Sequence, residues 1–236
     1  MSTTFEPWPK IPRLRRGVVI TEKIDGTNAC IRVLPYERGS TDHVLLEYGK
    51  GVHANGEEAV MLCQSRKRFI RPGQDNAGFA AWAFNNAQAL ADGLGFGSHY
   101  GEWWGQGIQR NYSLDSKFFS LFNTKRWQGH LADSATYDPE GNDVPDAHRE
   151  LDEIGVRVVP VLGTGTMSSE LVDNRLNHLR THGSWAAPGF MRPEGVVVFH
   201  TQAQSMYKVL LENDEVSKGA LRAMGTDAPQ TEAGVA

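Results

Sequence analysis

The stretch TEKIDGTNACIRV, Thr21 to Val33, places a lysine and an aspartate two residues apart between two runs of β-forming residues. Val18-Val19-Ile20 precedes it and Ile31-Arg32-Val33-Leu34 follows. Such β-branched and apolar side chains fit a pleated, half-buried surface, so both runs read as strands. Gly26 breaks the chain between them. Lys23 therefore stands at a strand end or turn, where a rigid backbone can present a side chain into a cleft.

The rest of the chain extends that sheet. Residues 44–48 and 59–63 predict short strands, with GKGVHANGEE between them as a loop by its glycines and Asn. Residues 76–92 are Ala-rich with apolar positions at helical spacing and end before Gly93, predicting one helix. KFFSLFNTKRW, 117–127, reads as a strand, and the polar, Pro- and Gly-punctuated region 128–152 as a surface insertion. Val156 to Leu162 is a further strand. Residues 168–182 form a helix opened by a Ser cap with Glu170 close behind. PEGVVVFH and SMYKVLLE are two more strands, and beyond Ser217 the chain becomes a Gly/Ala/Thr/Pro tail. Strands dominate, with two or three helices, which predicts an α+β domain built on antiparallel sheets. The expected boundaries are one domain over 1–215 and a flexible tail over 216–236.

Composition narrows the setting. A chain of 236 residues with 40% hydrophobic and 22% charged residues is an ordinary globular sequence able to bury a substantial core. No apolar run approaches the roughly 18 residues of a membrane span. The N-terminus is Pro- and Arg-rich without an apolar core region, which argues against secretion. Cys30 and Cys63 form neither a disulfide framework nor a repeated CxxC zinc pattern, so a reducing cytoplasm is the expected location. The formal charge of −4 counts against a nucleic-acid partner on average. Local clusters reverse that: Arg13, Arg15 and Arg16 form one, and SRKRFIR, Ser65 to Arg71, forms a second with an aromatic inside it.

A free lysine has a pKa near 10.4, so about one in 2,500 is neutral at pH 7 and able to attack an electrophile. A nucleophilic Lys23 needs burial, neighbouring cations or a metal to help it lose its proton. GEWWG sets Glu102 between glycine and two tryptophans, PEGVVVFH sets Glu194 at a strand start, and Lys208 lies within MYKVLLE. Each alone is an ordinary turn or strand residue.

In order, however, the chain carries EKIDGTN (Glu22 to Asn28), QSR (Gln64 to Arg66), GEWWG (Gly101 to Gly105), FFSLFN (Phe118 to Asn123), EGVVV (Glu194 to Val198) and YKV (Tyr207 to Val209). This set resembles the collinear motifs of the covalent nucleotidyltransferase superfamily, which contains ATP-dependent DNA ligases, RNA ligases and mRNA capping enzymes. Glu before the lysine and Thr-Asn after the glycine look most like the type 2 RNA ligase branch. The resemblance spans residues about 18 to 212. It implies an antiparallel-sheet nucleotidyltransferase (ATP-grasp-like ligase adenylation) domain with flanking helices.

The resemblance also implies roles. Lys23 attacks the α-phosphate of ATP, releases pyrophosphate and retains AMP on its ε-nitrogen. AMP then passes to a 5′-phosphate RNA end, which a 3′-hydroxyl attacks to seal the strand. Glu22 helps hold the adenine, while Asp25 and Asn28 shape the loop and the phosphate contacts. Gly26 lets the backbone approach the nucleotide. Arg66 reaches ribose or phosphate as a planar fork, Glu102 takes the ribose hydroxyls, and Phe122 stacks on the purine. Glu194 binds the divalent metal, Mg2+ or Mn2+, and Lys208 neutralises charge on the α-phosphate.

Two positions depart from the pattern. The final motif usually carries two lysines one residue apart, but Met206 and Leu210 flank Lys208 at that spacing. Asn123 stands where an acid often follows the stacking aromatic. Ligases and capping enzymes also often carry an OB fold after this domain. The stretch beyond Lys208 is too short for one, so the expectation is a catalytic domain alone, with a protein partner as one source of a second domain.

Other motifs fail. Gly49-Lys50-Gly51 lacks the spacer and hydroxyl residue of a Walker A loop, and GLGFGSHYG follows a helix where a dinucleotide fingerprint needs a strand. The eight histidines show no HExxH spacing. Trp103 and Trp104 read as base-stacking or core residues, core being the commoner. A DNA ligase, a guanylyltransferase, or a nucleotide- or RNA-binding module without turnover are the rival readings. Intact Lys23, Glu102, Glu194 and Lys208 count against the last.

Overall fold

The computed structural model describes residues 5, 7–8, 10–75, 77–127, 146–212 and 214. The first half of the chain runs β1 (Gly17–Lys23), β2 (Thr27–Pro35), α1 (His43–Tyr48), β3 (Lys50–Ala54), β4 (Glu57–Ser65), β5 (Phe69–Ile70), α2 (Phe79–Asn85) and α3 (Ala87–Leu94). It continues with β6 (Gly97–Gly105), β7 (Lys117–Leu121), α4 (Thr124–Trp127) and α5 (Asp146–Glu153). β8 (Val156–Val158), β9 (Val161–Thr166), α6 (Ser169–His182), β10 (Gly195–His200) and β11 (Ser205–Leu210) complete it. The expected α+β architecture on antiparallel sheets is the observed one.

A four-stranded sheet has the order β11-β10-β1-β9, and a larger one β3-β4-β2-β6-β7-β8 with β5 beside β4. Every pairing is antiparallel except β7 with β8. β1 leads straight into β2 through residues 24–26, so the chain crosses from one sheet to the other just after Lys23.

Alternation along the strands decides which faces are dry. In the small sheet Val18, Ile20, Val196 and Val198 turn to one side, where Val172, Leu176 and Leu179 of α6 cover them. Ser168 starts that helix as expected, its side chain accepting from the Leu171 amide, and Gly183 follows its end. In the large sheet Ala29, Ile31, Val33, Met61, Cys63, Trp103, Phe119 and Leu121 pack with α2 and α3. A third cluster of Ile24, Trp104, Tyr112, Val159, Ala187 and Phe190 joins the sheets. Trp103 and Trp104 are thus core residues, 2% exposed. Cys30 and Cys63 are buried free thiols. No helix among the described residues is long and apolar enough to cross a membrane.

The structure corrects several expected elements. Residues 44–48 are helical, because the Asp42 carboxylate accepts from the Val44 amide at 2.8 Å and caps α1. The stretch expected as a loop is a hairpin: Ala54 pairs with Glu57, and Asn55 and Gly56 turn with φ of 52° and 81°. That is the Asn-Gly two-residue turn whose twist suits paired strands. The helix expected over 76–92 is two helices, α2 and α3, parted at Asn86, whose side-chain amide donates to the Trp82 carbonyl at 2.8 Å. The strand expected over 156–162 breaks at Pro160, and its halves enter different sheets. KFFSLFNTKRW is a strand only to Leu121. Within 128–152, residues 128–145 lie outside the described residues and 146–153 are helical. The tail, 216–236, also lies outside them.

Leu179 is fully buried between α6 and the small sheet. Leu179→Ala is expected to destabilise the protein by about 2–5 kcal/mol, and Ser168→Ala by about 0.5–2 kcal/mol. Urea unfolding of the three proteins checks both values and their order.

Candidate active site

Lys23 ends β1 directly opposite Gly195 of β10. Ile20 and Glu22 point to the α6 side, so Lys23 points to the other face. Gly195 has φ 154°, and a Cβ there would sit 2.2 Å from the Val209 carbonyl oxygen, so β11 lies where any side chain would go. Glu194 stands immediately before it and is 2% exposed. The Lys23 Nζ donates to Glu194 Oε2 at 2.6 Å. A lysine and a glutamate far apart in sequence thus meet through one strand pairing.

The facing sheet supplies the second acid. Asn28 of β2 pairs with Glu102 of β6. Glu102 Oε1 accepts from the Gly26 amide at 3.1 Å, and Oε2 accepts from Asn28 Nδ2 at 2.8 Å. Burial pushes the Glu102 carboxyl up to about 7; Lys23, the Gly26 amide and Asn28 oppose the rise, and the Glu194 charge adds to it. Gly26 has no room for a side chain, since a Cβ would lie 2.4 Å from the Trp103 carbonyl oxygen. Its amide can therefore approach Glu102 while the loop passes under β6.

Asp25 is held from beneath. Its amide donates to Tyr112 Oη at 2.7 Å, and its carboxylate receives Arg110 Nε at 3.2 Å. Tyr112 is 1% exposed, and burial with nearby carboxylates raises its phenol well above the ordinary value, so it stays protonated.

The remaining expected residues divide. Phe122 lies one residue past β7 on the face shared with Ser120 and Glu102, 38% exposed, its amide bonded to the Tyr100 carbonyl. Lys208 pairs with Val197, which shares a face with Thr21 and Lys23. It sits exposed on the cleft face two strands, or about 10 Å, from β1. Met206 and Leu210 share that face. Arg66 is exposed in the turn after β4, at the Asn28 end of the sheet, since Ser65 pairs with Ala29.

The Glu22 side chain faces the other way. Its carboxylate lies on the opposite face from Lys23, 1% exposed, accepting from Ser184 Oγ at 2.6 Å and the amides of Trp185 and Ala186 at 2.8 and 2.9 Å. Burial raises its pKa despite these three donors. Alternation forbids both neighbours from facing one cleft, so Glu22 fastens the 184–186 segment rather than presenting its side chain beside Lys23. Asn123, at the second departure, accepts from the Arg126 amide and begins α4.

Arg110, Tyr112 and Ser184 are contacts that the sequence reading missed. Each bonds a motif residue across at least 85 positions of chain, and no local pattern marks them. Metal-ligand clusters of three or more His, Cys, Asp or Glu are absent among the described residues. Two cavities of about 540 and 420 Å³ lie elsewhere, beside Trp82 and Lys117 and beside Asp92 and Arg126. The Lys23 site is an open face between sheets.

The family model described as RNA ligase matches residues 16–210. Among solved structures, a variant of Naegleria gruberi RNA ligase with ATP and Mn is 16% identical, with a TM-score of 0.45, covering 90% of this chain and 53% of that one. Another variant of the same protein, with AMP and Mn, is 17% identical with a TM-score of 0.44, covering 90% and 53%. The chain thus spans about half the length of these solved proteins. Among curated proteins there is no match.

The raised Glu102 pKa has a definite sign. A carboxyl at about 7 in the folded state and near 4.5 otherwise binds its proton more tightly when folded. The stability this gives is full below about pH 4.5 and is lost as pH rises through 7. Glu102→Gln is therefore expected to gain stability relative to the parent between pH 5 and pH 8, by up to about 3 kcal/mol. Thermal unfolding of both proteins across that range checks it; parallel pH profiles would contradict it.

Proposed function

The chain belongs to the RNA ligase family, and on that premise we propose that it is an ATP-dependent RNA ligase working through AMP bound covalently to Lys23. The observation that carries the reading is the 2.6 Å contact of Lys23 Nζ with Glu194, with Glu102 on the facing sheet. Once the ammonium loses its proton, the Nζ lone pair forms a bond to the α-phosphorus of ATP. The bond to the bridging oxygen breaks, and pyrophosphate leaves with its electron pair. An oxygen of an RNA 5′-phosphate then takes the AMP from Lys23, restoring the amine. Finally a 3′-hydroxyl attacks that 5′-phosphorus, its proton leaves, and AMP departs.

The proposed residue roles suit the positions described. Glu102 accepts from the ribose hydroxyls, and its two present donors, the Gly26 amide and Asn28, hold it in place for that. Phe122, partly exposed on the same face, gives the purine a stacking surface. Lys208 reaches the α-phosphate from the neighbouring face. Arg66 contacts ribose or phosphate from the rim, and Asp25 and Asn28 shape the loop that carries the nucleophile.

Buried Glu194 offers oxygen donors of the kind magnesium or manganese takes, together with phosphate oxygens and water. Bound there, the ion would offset phosphate charge.

RNA contact is proposed at the basic turn Arg66–Arg71, where Arg66, Lys67 and Arg68 are exposed. The reducing cytoplasm is proposed as the location, consistent with two free thiols. The organisation as one domain over 1–215 with a tail over 216–236 is part of the same proposal, as is a protein partner supplying a second domain.

Incubation with α-labelled ATP or GTP and magnesium, followed by denaturing electrophoresis, tests the first step. Label from ATP and not GTP is expected, and none on Lys23→Ala; undiminished label on that variant would remove Lys23 from its role. Nicked RNA bearing a 5′-phosphate is expected to be sealed better than an all-DNA nick, and less well as salt rises. Preferential sealing of DNA would move the protein to the DNA-ligase reading.

Lys208 works without a second lysine at 206 or 210, and one positioned donor on a transferring phosphate contributes about 2.7–4 kcal/mol. Lys208→Ala is expected to bind ATP yet adenylate itself at least about a hundredfold more slowly in single turnover. A parent-like rate would make Lys208 a surface residue.

A further inference from the structure

Between β6 and β7 the chain makes a loop, residues 106–116, that the chemistry above does not use. Gln109, Asn111, Tyr112 and Ser113 take φ of 46°, 59°, 52° and 54°. Non-glycine residues enter this left-handed region seldom, and they persist there when the surroundings over-determine them. Here the loop binds itself. Asn111 Oδ1 accepts from the Gly107 amide at 2.7 Å, and the Asn111, Tyr112 and Leu114 amides reach the carbonyls of Ile108, Arg110 and Asn111.

The result is a rigid hook with two side chains aimed at the site. Arg110 Nε meets Asp25 Oδ2 at 3.2 Å, while its Nη1 donates to the Arg192 carbonyl at 3.0 Å. Asp25 lies two residues after Lys23, and Arg192 two residues before Glu194. One guanidinium therefore spans the segments that carry the nucleophile and its carboxylate. Tyr112 repeats the pattern: its hydroxyl accepts from the Asp25 amide, and its ring lies 4.7 Å from that of Phe190, four residues before Glu194. Trp104 backs the ring at 4.9 Å, fixing the hook to β6 beside Glu102.

We infer that loop 106–116 is a clamp for the Lys23–Glu194 pair, with Arg110 and Tyr112 as positioning residues that hold the KIDG loop and the 190–194 segment at one spacing. The inference rests on Lys23 as the adenylated residue. The β1–β10 register ends at Lys23 opposite Gly195; beyond it the Glu194 carbonyl still accepts from the Leu211 amide at 3.0 Å, while Asp25 and Arg192 lie past the strand pairing. A planar fork suits this task, because it can hold a carboxylate and a carbonyl at once, whereas a lysine ammonium at the end of a flexible stem holds no fixed geometry.

The test uses the full chain and the variants Arg110→Ala, Arg110→Lys and Tyr112→Phe. Hydrogen exchange read by mass spectrometry needs no activity: Arg110→Ala is expected to speed exchange in the 23–26 and 190–194 peptides together. Loosening confined to one of them, or to neither, would overturn the clamp. Single-turnover adenylation then separates positioning from folding. Misplacement of a reacting group by about 1 Å costs on the order of a hundredfold, so the rate constant at saturating ATP is expected to fall at least about tenfold. Half-saturating ATP should change little, and Arg110→Lys should recover only part of the rate. A merely structural role would lower the labelled fraction and leave the rate constant of the folded molecules unchanged, which would also overturn the inference. If the parent protein takes no label, the adenylation reading fails, while the exchange data still decide whether the clamp exists.

Discussion

Lys23 reaches Glu194 because β1 and β10 pair with Lys23 opposite Gly195, and the rest of the site is arranged around that register. A slip of one residue would turn Lys23 toward α6 and Ile20 toward solvent. Ile20, Val196 and Val198 are nearly or fully buried against Leu176 and Leu179, so apolar burial resists the slip. Ordinary hydrophobic alternation thereby sets the geometry of the chemistry. It also accounts for Glu22, which must face the core if Lys23 faces the cleft, and which meets three donors there.

The second sheet enters through a short connection directly after Lys23. Residues 24–26 carry it from β1 to β2, and Gly26 lets this crossing pass within hydrogen-bond distance of Glu102. Glu102 is consequently buried near Glu194, and its ionisation is costly in the absence of further cations. The face thus holds two acids, with Lys23 against one of them and Lys208 exposed two strands away. The joint cluster of Ile24, Trp104, Tyr112 and Phe190 holds the sheets together at this point. Left-handed backbone in the 106–116 loop costs about 1–2 kcal/mol per non-glycine residue, a strain that the packing and hydrogen bonds of the joint offset.

Much of this was legible in the sequence because the informative residues lie on regular strands. Val18 to Ile20, GVVVF and MYKVL read directly as strands, and among the motif residues Lys23, Glu102 and Glu194 come near one another in the fold. The errors have local causes. HVLLEY has strand-like composition but an aspartate cap before it, and the glycines around Asn55-Gly56 suggest a loop although the pair is a hairpin turn. At Asn86 and Pro160 a single residue broke a run that looked continuous. The burial of the Glu22 carboxylate follows from strand alternation, which a motif by itself does not carry. Arg110, Tyr112 and Ser184 escaped because their importance lies wholly in partners distant along the chain.

The strand end held against Glu194 is expected to carry the covalent nucleotide. The most direct test is to incubate the intact protein with ATP and magnesium, digest it, and locate any adduct by mass spectrometry. A single AMP is expected, on the peptide containing Lys23 and on that side chain. AMP found on any other residue, or nucleotide that binds without forming a covalent adduct, would contradict it.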